Sequence, residues 1–306
     1  MQYYLGETLA LTTALLWAFT SVFFTLAGRK VGSHVVNRTR LLLAVPFLSV
    51  AHLLTQGNLV PLEAEPRRWL WLGISAIVGL VVGDGLLFYA FTAIGARLSM
   101  LLMALNPIIG AIFAWLFLGE TLQPMEIIAI TLSISGVAWV VMERNRPQLD
   151  RTAAHPDSDD GRYLIGVLAG LGGATGQATG LVLSKQGMIG DFPALSASFM
   201  RVAVAAAVIW IAALIGREAR VSLASLTKPQ TGWLTLGGTL VGPVLGMTLS
   251  LASVQMAEVG IASTLMAMSP VLLLPLSHWI FHERITLRAV MGTIVAMAGV
   301  TLIFLS

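Results

Sequence analysis

The amino-acid sequence contains two copies of one pattern, separated by a fixed distance. The segment Met-Ala-Leu-Asn-Pro at 103–107 returns as Met-Ala-Met-Ser-Pro at 266–270, which is 163 positions later. The same offset relates four further pairs: Gly79 and Gly242, Gly83 and Gly246, Glu120 and Glu283, and Gly136 and Gly299. Apolar composition alone does not fix spacing, so the repeated offset predicts an internal duplication.

The composition excludes water as the main solvent around this chain. Hydrophobic residues make up 57% of the sequence and charged residues 11%, whereas ordinary soluble domains have roughly 25% charged residues. A barrel strand would alternate apolar and polar residues over about ten positions, and the nearly continuous apolar run at 129–142 does not. Apolar runs near the roughly 20 residues that cross a bilayer fall at 6–27, 33–54, 69–91, 96–118, 123–142, 163–185, 193–215, 231–254, 259–280 and 286–305. We therefore predict an all-α membrane protein with ten transmembrane helices.

A polar segment divides the chain into two halves. Residues 143–161 hold arginines, aspartates and prolines between two apolar blocks, which predicts a linker between a first repeat at 1–142 and a second at 162–306. Each half has five spans, and an odd number makes the second copy enter the bilayer from the opposite side. We therefore expect two inverted five-helix repeats with a substrate site near mid-depth where they meet, an organisation typical of transporters.

The distribution of basic residues predicts an orientation. Lys and Arg number twelve in the odd-numbered loops and three in the even-numbered loops. The positive-inside rule then places the odd loops and the linker in the cytoplasm and both termini outside. The first apolar segment has neither a basic start nor a small-residue cleavage site, so we expect it to be a helix of the mature protein and not a secretion signal.

Several classes of function are excluded by what the sequence lacks. It has no cysteine, so disulfides, thiolate nucleophiles and thiolate metal sites are ruled out. Its five histidines lack metal-ligand spacing, and we expect neither a metal nor another cofactor. The basic residues are scattered among short loops without interleaved aromatic residues, so we do not expect a nucleic-acid partner.

One motif set resembles a known family. The pattern Ala104-x-x-Pro107, Gly119-Glu120 and Gly136-Val137, with its second copy Ala267-x-x-Pro270, Glu283 and Gly299-Val300, resembles the EamA repeat of the drug/metabolite transporter superfamily. The resemblance implies a ten-helix basket in a bacterial inner membrane, with a central cavity lined mainly by helices 1, 3, 4, 6, 8 and 9. Many relatives export amino acids or other small metabolites, and they are commonly drawn with both termini in the cytoplasm, opposite to the charge count.

Asp84 is a carboxylate in the middle of a predicted span. Insertion scales put the cost of such a group at about 2.5 to 3.5 kcal/mol, so it needs a partner or a cavity. One interpretation is a site for a coupling proton or a substrate ammonium, since poor solvation favours the protonated carboxyl. The other is a structural hydrogen bond or ion pair that ties helix 3 to its neighbours.

Arg40 and Arg201 occupy matching places in helices 2 and 7, at an offset of 161 residues. A guanidinium can clamp a carboxylate with two parallel hydrogen bonds, so both are candidate anion contacts, and the two could bracket Asp84. The alternatives are structural pairing or snorkelling of the side chain towards the lipid headgroups.

The two matched prolines, Pro107 and Pro270, follow Asn106 and Ser269. A proline inside a helix frees a backbone carbonyl one turn earlier, and irregular helix at mid-membrane is tolerated when it is buried in protein or faces a water-filled cavity. We expect hinges beside the pathway with polar groups that meet ligand, or else static kinks. Glu120 and Glu283 are expected to cap helix starts.

The rest of the predicted site is apolar or weakly polar. Gln177 lies in a small, polar stretch of helix 6 that could admit substrate or form a tight helix contact. Trp17, Tyr89, Met103 and Met266 could form an adaptable apolar lining, although such residues also face lipid or lie in the core. The Gly-x-x-x-Gly pairs starting at 79 and 242 predict close helix packing.

Three functions fit these features. The first is a secondary transporter, an exporter of a small amphipathic metabolite such as an amino acid, with proton coupling through Asp84. The second is an intramembrane enzyme acting on a lipid, which needs acid, base or metal ligands converging at one depth, and the sequence displays no such set. The third is a non-transporting scaffold or channel subunit. We expect a small-molecule substrate, a lipid environment and a monomer or homodimer.

Overall fold

The computed structural model describes most of the chain. Its helices are joined by short turns, and no strand occurs in the residues it describes. Glu120, Glu283 and residues 143–155 of the predicted linker lie outside this part, so the capping prediction for the two glutamates is not addressed. The described residues are 5–109, 112, 124–142, 156–190, 192–257, 262, 265–282 and 285–303.

Each half begins with two long helices and continues with a third long helix that contains a π-helical segment, and the second half has an additional short helix, Ala219–Leu226, before that third long helix. The first half contains α1 Leu5–Val31, α2 Ser33–Gln56, α3 Pro66–Ala76, a π-helical segment Ile77–Gly83, α4 Asp84–Ala93, α5 Gly95–Met103 and α6 Pro124–Met142. The second half contains α7 Pro156–Gly187, α8 Ala194–Ile215, α9 Ala219–Leu226, α10 Pro229–Thr239, a π-helical segment Leu240–Gly246, α11 Met247–Met256, α12 Ser269–Phe281 and α13 Leu287–Ile303. Helix α7 starts inside the predicted linker, with Pro156 at its first position.

The lengths and apolar composition of the helices indicate a multi-pass membrane protein. Seven described helices are long and apolar enough to cross a bilayer: Leu5–Val31, Ser33–Gln56, Pro66–Ala93, Pro124–Met142, Gly161–Gly187, Ala194–Ile215 and Pro229–Ser253. Three shorter apolar helices are Gly95–Ile109, Ser269–Phe281 and Leu287–Leu302. The prediction of an all-helical membrane protein is confirmed, whereas the number of ten spans and their inversion stay predictions.

Proline and glycine set several helix ends. Pro66 and Pro229, which are 163 residues apart, each begin a helix, where the missing proline N–H costs nothing because first-turn N–H groups have no intrahelical acceptor. Helix α2 ends where Gly57 adopts a φ of 79° and its N–H donates to the Leu53 carbonyl at 3.0 Å. A side chain would be strained in that left-handed conformation.

The third long helix of each half, Pro66–Ala93 and Pro229–Ser253, contains a π-helical segment at the same place. Ile77–Gly83 joins α3 to α4, and Leu240–Gly246 joins α10 to α11, again at an offset of 163 residues. A π turn has one extra residue per hydrogen-bonded ring, so it changes the direction in which the following side chains point around the helix. Such turns are frequent at functional sites. Asp84 is the first residue after the first of these segments.

Glycines allow two helices of opposite halves to pack backbone against backbone. A Cβ atom at Gly176 would lie 2.7 Å from the Cα of Gly83, and one at Gly180 would lie 3.0 Å from the Cα of Gly79. The later glycine of one helix meets the earlier glycine of the other, so the two helices are antiparallel. The hydroxyl of Ser75 donates to the Gly180 carbonyl at 2.8 Å. These contacts agree with the predicted packing role of the Gly-x-x-x-Gly pair.

The glycine pair of the second half packs on α1 in a similar way. A Cβ atom at Gly242 would lie 2.9 Å from Oγ1 of Thr20, and one at Gly246 would lie 3.1 Å from Cδ1 of Trp17. The glycine pair of the second half therefore packs against side chains of α1, whereas the glycine pair of the first half packs against the glycine backbone of α7. The first helix of each half thus packs against the third helix of the other.

Helices α6 and α13 make reciprocal contacts between matching residues. The hydroxyl of Ser133 donates to the carbonyl of Ala296, its own counterpart at an offset of 163, at 3.2 Å. A Cβ atom at Gly136 would meet Ala296, and one at Gly299 would meet Ser133. Matching residues that touch each other reciprocally are the property of an interface with two-fold symmetry.

We expect the substitution Gly176→Ala to destabilise the protein, because its methyl group would lie 2.7 Å from the Cα of Gly83 and 3.1 Å from the Val78 carbonyl oxygen. Overpacking of this kind typically costs about 1–3 kcal/mol. The measurement is the thermal unfolding midpoint in detergent. Gly161→Ala on the same helix is the control, since nothing lies within 4 Å of its added Cβ. Equal midpoints for the two variants would contradict the packing described above.

Candidate functional site

A cavity of about 340 Å³ lies between the two halves of the chain. It is lined by residues of α1, α2, α4, α5, α7, α8, α11 and α12 and of both π-helical segments. Eleven of the twelve residues singled out from the sequence line it. They are Trp17, Arg40, Asp84, Met103, Asn106, Pro107, Gln177, Arg201, Met266, Ser269 and Pro270.

Tyr89 is the exception. It lines a separate groove of about 520 Å³ together with His34, Arg38 and Ile165. The reason is helical phase. Asp84, Leu87, Phe88 and Phe91 share one face of α4 and line the cavity, whereas a residue five positions after Asp84 lies about 140° around the helix from it. The tyrosine therefore faces away from the cavity.

Asp84 is 4% exposed and makes two contacts with side chains of other helices. Its Oδ2 forms an ion pair with Nη2 of Arg40, and its Oδ1 accepts a hydrogen bond from Nε2 of Gln177. The carboxylate therefore links α2, α4 and α7, which come from both halves of the chain. The ion pair that the sequence left as the structural alternative is present, and it lies inside the cavity.

Arg40 is held from several sides. Its Nε donates to Oδ1 of Asn37 at 2.9 Å, and its guanidinium carbon lies 4.7 Å from the ring centroid of Phe88 and 5.7 Å from that of Phe24. Cation–π contacts of this kind gain strength when the groups are desolvated. At 4% exposure, the side chain pairs inside the protein and does not snorkel to the headgroups.

Arg201 differs from its counterpart. It is also 4% exposed and lines the cavity, yet its guanidinium makes no hydrogen bond or ion pair with the residues that the structure describes, and its Nε is fully buried without an acceptor. Its Nη2 would lie 3.2 Å from a Cβ atom at Gly79. The residue 163 positions after Asp84 is Met247, so the second half has no carboxylate at the matching place.

The polar residues before the two prolines use their donors on backbone carbonyls. The hydroxyl of Ser269 donates to the carbonyl of Ala14 in α1 at 3.0 Å. The side-chain nitrogen of Asn106, in the amide orientation that satisfies its neighbours, donates to the carbonyl of Ala174 in α7 at 2.8 Å. Both residues border the cavity, but these donors tie helices together.

The helices are interrupted just before each proline. Residues 104–105 and 267–268 form turns, and Pro107 and Pro270 are the second residues of the helical turns that follow. At that position proline has no intrahelical acceptor to lose. The expectation that each proline breaks a hydrogen bond inside a continuous helix is therefore wrong, although an irregular helix beside the cavity is present. A hinge at these places stays a prediction.

The remaining wall is largely apolar and was only partly foreseen. Sequence reasoning singled out Trp17, Met103 and Met266 and missed three aromatic residues, Phe24, Phe88 and Phe91. The spacing of Phe88 and Phe91, four and seven residues after Asp84, is the signal that identifies the same helical face. The cavity also contains weakly polar hydroxyls at Thr20, Ser21 and Ser250. It therefore combines charged groups with an aromatic and methionine wall.

The acidic and histidine side chains of the described residues are dispersed. Across the described ranges, no group of three or more histidine, cysteine, aspartate or glutamate side chains is arranged to hold a metal ion. In the same part of the chain, the charged residues that line the cavity are one aspartate and two arginines, and guanidinium groups do not bind cations because they carry donors only.

Comparison with known proteins identifies the family. The model of the EamA-like transporter family matches residues 4–142 and 164–305, which is most of both halves. This chain belongs to the EamA-like transporter family. The resemblance stated from the motifs is confirmed, and membership supports an integral membrane transporter, since members of the EamA family are transporters and not enzymes.

The fold of this EamA-like protein also occurs in a solved crystal structure. The two are 17% identical, the match covers 97% of this chain and 94% of that one, and the TM-score is 0.61. At this identity the likeness establishes a shared fold. A search of curated proteins found no significant match.

Charge balance in the cavity predicts an order of stability among variants. Asp84→Asn leaves two buried guanidiniums without a carboxylate, and breaking a buried pair typically costs about 3–5 kcal/mol. The double variant Arg40→Gln/Asp84→Asn leaves only Arg201 charged. We expect thermal unfolding in detergent to show a lower midpoint for the single variant than for the double variant.

Glu218→Gln is the matched control for this series. It breaks the ion pair between Arg38 and Glu218, whose glutamate side chain is 56% exposed, and pairs of this kind contribute about 1 kcal/mol or less. We expect a small change in midpoint. A double variant that is no more stable than Asp84→Asn would contradict the view that Asp84 compensates the charge of Arg40.

Proposed function

We propose that this EamA-like protein is a secondary active transporter that exports small amphipathic metabolites such as amino acids by alternating access. The observation that carries the proposal is the cavity between the two halves, which brings ionised groups and an aromatic wall together inside a membrane protein. Ionisable residues within membrane spans mark substrate or ion pathways as a rule. The export direction follows what is known of many relatives.

The size and chemistry of the cavity fit this class of substrate. A volume of about 340 Å³ falls at the lower end of the roughly 300–1,000 Å³ of small-molecule pockets. The charged groups Arg40, Asp84 and Arg201 can orient a polar end, and Trp17 and Phe88 can cover an apolar body. An amino acid with an apolar side chain has this division into two ends.

We further propose that the two halves are inverted repeats of five spans each. The shared offset of the π-helical segments and of the helix interruptions supports this, as do the reciprocal contacts of α6 with α13. Repeats related by a pseudo-two-fold axis in the membrane plane allow one half to rock against the other around a fixed site. The irregular helix beside the cavity supplies places where such rocking can occur.

Asp84 is our candidate for the coupling proton. Its carboxylate is the one acidic group that lines the cavity among the described residues. Protonation would remove the ion pair with Arg40. The Nε2 group of Gln177 would then donate to a neutral carboxylic acid in place of a carboxylate. A change in these two contacts would alter the link between α2, α4 and α7, so protonation of Asp84 would affect how these helices are arranged.

Counterflow in reconstituted vesicles tests the transport function. We expect labelled apolar amino acids to exchange against unlabelled amino acid inside vesicles that contain the protein and not in protein-free vesicles. The expected uptake transiently exceeds equilibrium, because exchange through one site links the two fluxes. Absence of counterflow with every amino acid tested would contradict an amino-acid transporter.

The double variant Arg40→Gln/Asp84→Asn tests the coupling role, because it removes the acid while keeping the net charge of the cavity. We expect counterflow to persist in this variant but to lose the pH dependence that the unmodified protein shows. Abundance and elution from size-exclusion chromatography serve as controls for folding. If the pH dependence is unchanged in the double variant, Asp84 is not the coupling group.

The proposed orientation, with both termini outside, can be measured by labelling single cysteines, which are unique because the chain has none of its own. Leu62 lies in the turn before α3 and is 80% exposed, and Val221 lies in α9 and is 66% exposed. In right-side-out vesicles, we expect a membrane-impermeant maleimide to label Leu62→Cys, and Val221→Cys only after permeabilisation. The reverse pattern would place both termini in the cytoplasm, as is common in relatives.

A further inference from the structure

The charges that line the cavity do not cancel. Arg40, Asp84 and Arg201 are each 4% exposed, and no other charged side chain lines the cavity in the part of the chain that the structure describes. Two guanidiniums and one carboxylate leave one positive charge in excess. A guanidinium stays protonated in proteins, so the excess charge cannot be relieved by loss of a proton.

The excess charge belongs to Arg201 and not to Arg40. Arg40 has an ion pair with Asp84, an acceptor on Asn37 and two aromatic faces. Arg201 has the long-range attraction of Asp84 but no hydrogen-bond acceptor among the described residues. Buried charges are normally paired and hydrogen-bonded, so a guanidinium left without an acceptor indicates a site whose anion comes from elsewhere.

The guanidinium of Arg201 lies close to a glycine of the opposite half. Its Nη2 faces Gly79, where a side chain as small as a methyl group would approach to 3.2 Å, and Oε1 of Gln177 would lie 3.8 Å from the same point. Gly79 belongs to the π-helical segment that precedes Asp84. The glycine keeps a side chain away from the guanidinium on this side of the cavity.

We infer that Arg201 binds the carboxylate of the transported substrate, an organic anion with one carboxylate and an apolar body. This rests on the proposed transport function and names the group by which the substrate is recognised. A guanidinium holds a carboxylate with two parallel hydrogen bonds, and one bound anion brings the cavity to neutrality. The apolar body of the substrate lies against Trp17, Phe24 and Phe88, which line the same cavity.

This assignment makes the carboxylate, and not the amino group, the required feature of the substrate. Both oxygens of Asp84 already accept from Arg40 and Gln177, so a substrate ammonium would compete with Arg40 for the same carboxylate. Amino acids fit through their α-carboxylate. Carboxylates that lack an amino group fit better still, because the ammonium of an amino acid offsets the negative charge that its carboxylate brings into the cavity. Amines and amides of the same shape supply no negative charge.

Four small molecules of matched shape test the inference by binding to purified protein in detergent and chloride-free buffer. Phenylalanine and 3-phenylpropionate carry the carboxylate, whereas phenylalaninamide and phenethylamine do not. In titration calorimetry and thermal shift, we expect the two carboxylates to bind at least tenfold more tightly than the other two. Equal or tighter binding of phenethylamine would overturn the assignment.

Variants of Arg201 locate the site. We expect Arg201→Gln to lose at least tenfold in affinity for 3-phenylpropionate while its ligand-free melting temperature is unchanged or raised, because the side chain has no internal partner to lose. Arg201→Lys should retain part of the affinity. The control Arg220→Gln removes an exposed arginine of α9 and should bind as the unmodified protein does. Unchanged affinity in Arg201→Gln would overturn the inference.

Gly79→Ala gives a second test that keeps every charge. Its methyl group would press on Nη2 of Arg201, and we expect weaker binding of 3-phenylpropionate without loss of folding. Binding and counterflow separate the two proposals. Carboxylate binding that depends on Arg201 without counterflow would refute transport alone, whereas counterflow that is insensitive to Arg201→Gln would refute the carboxylate site alone.

Discussion

The cost of placing charge in an apolar interior governs how this protein is put together. The carboxylate of Asp84 lies within a membrane span and is only 4% exposed, so solvation is poor and the protein must bring partners to it. Arg40 comes from α2 and Gln177 from α7. Gln177 reaches the carboxylate because Gly83 and Gly176 let their two helices approach at backbone distance. Close helix packing and charge compensation therefore depend on each other.

The two halves have irregular helix at matching positions, but they differ in the charged residues that face the cavity. The π-helical segments and the interruptions before Pro107 and Pro270 recur at one offset, which preserves where the helices bend. At the places that face the cavity, the second half has Met247 where the first has Asp84. A symmetrical pair of sites would hold two ion pairs and present no net charge to a substrate. The difference between the halves leaves one guanidinium available.

Much of this could be predicted from sequence, because a repeated offset and long apolar runs are properties of the chain itself. The helical class and the internal duplication follow from them. The family follows from the motifs, and the residues near the cavity follow from charged and polar groups and prolines within the spans. The partners of Asp84 do not, since Arg40 and Gln177 are 44 and 93 residues away and pairing depends on helix packing. Tyr89 was misplaced because depth along a helix was considered without rotation around it. The prolines were placed inside helices because sequence does not reveal that the helix is already interrupted.

The charge of the cavity also determines the sign of any coupling between proton and anion. Protonation of Asp84 would leave Arg40 and Arg201 both uncompensated, so it would raise the affinity for an anion, and a bound anion would in turn favour the proton by the same factor. A proton and a carboxylate that favour each other occupy the cavity together, which corresponds to movement in the same direction. A transporter of this kind moves a monoanion and a proton without net charge, so the membrane potential does not act on the loaded step, and the outward gradient of the metabolite drives export when it exceeds the pH gradient that opposes outward movement of the proton.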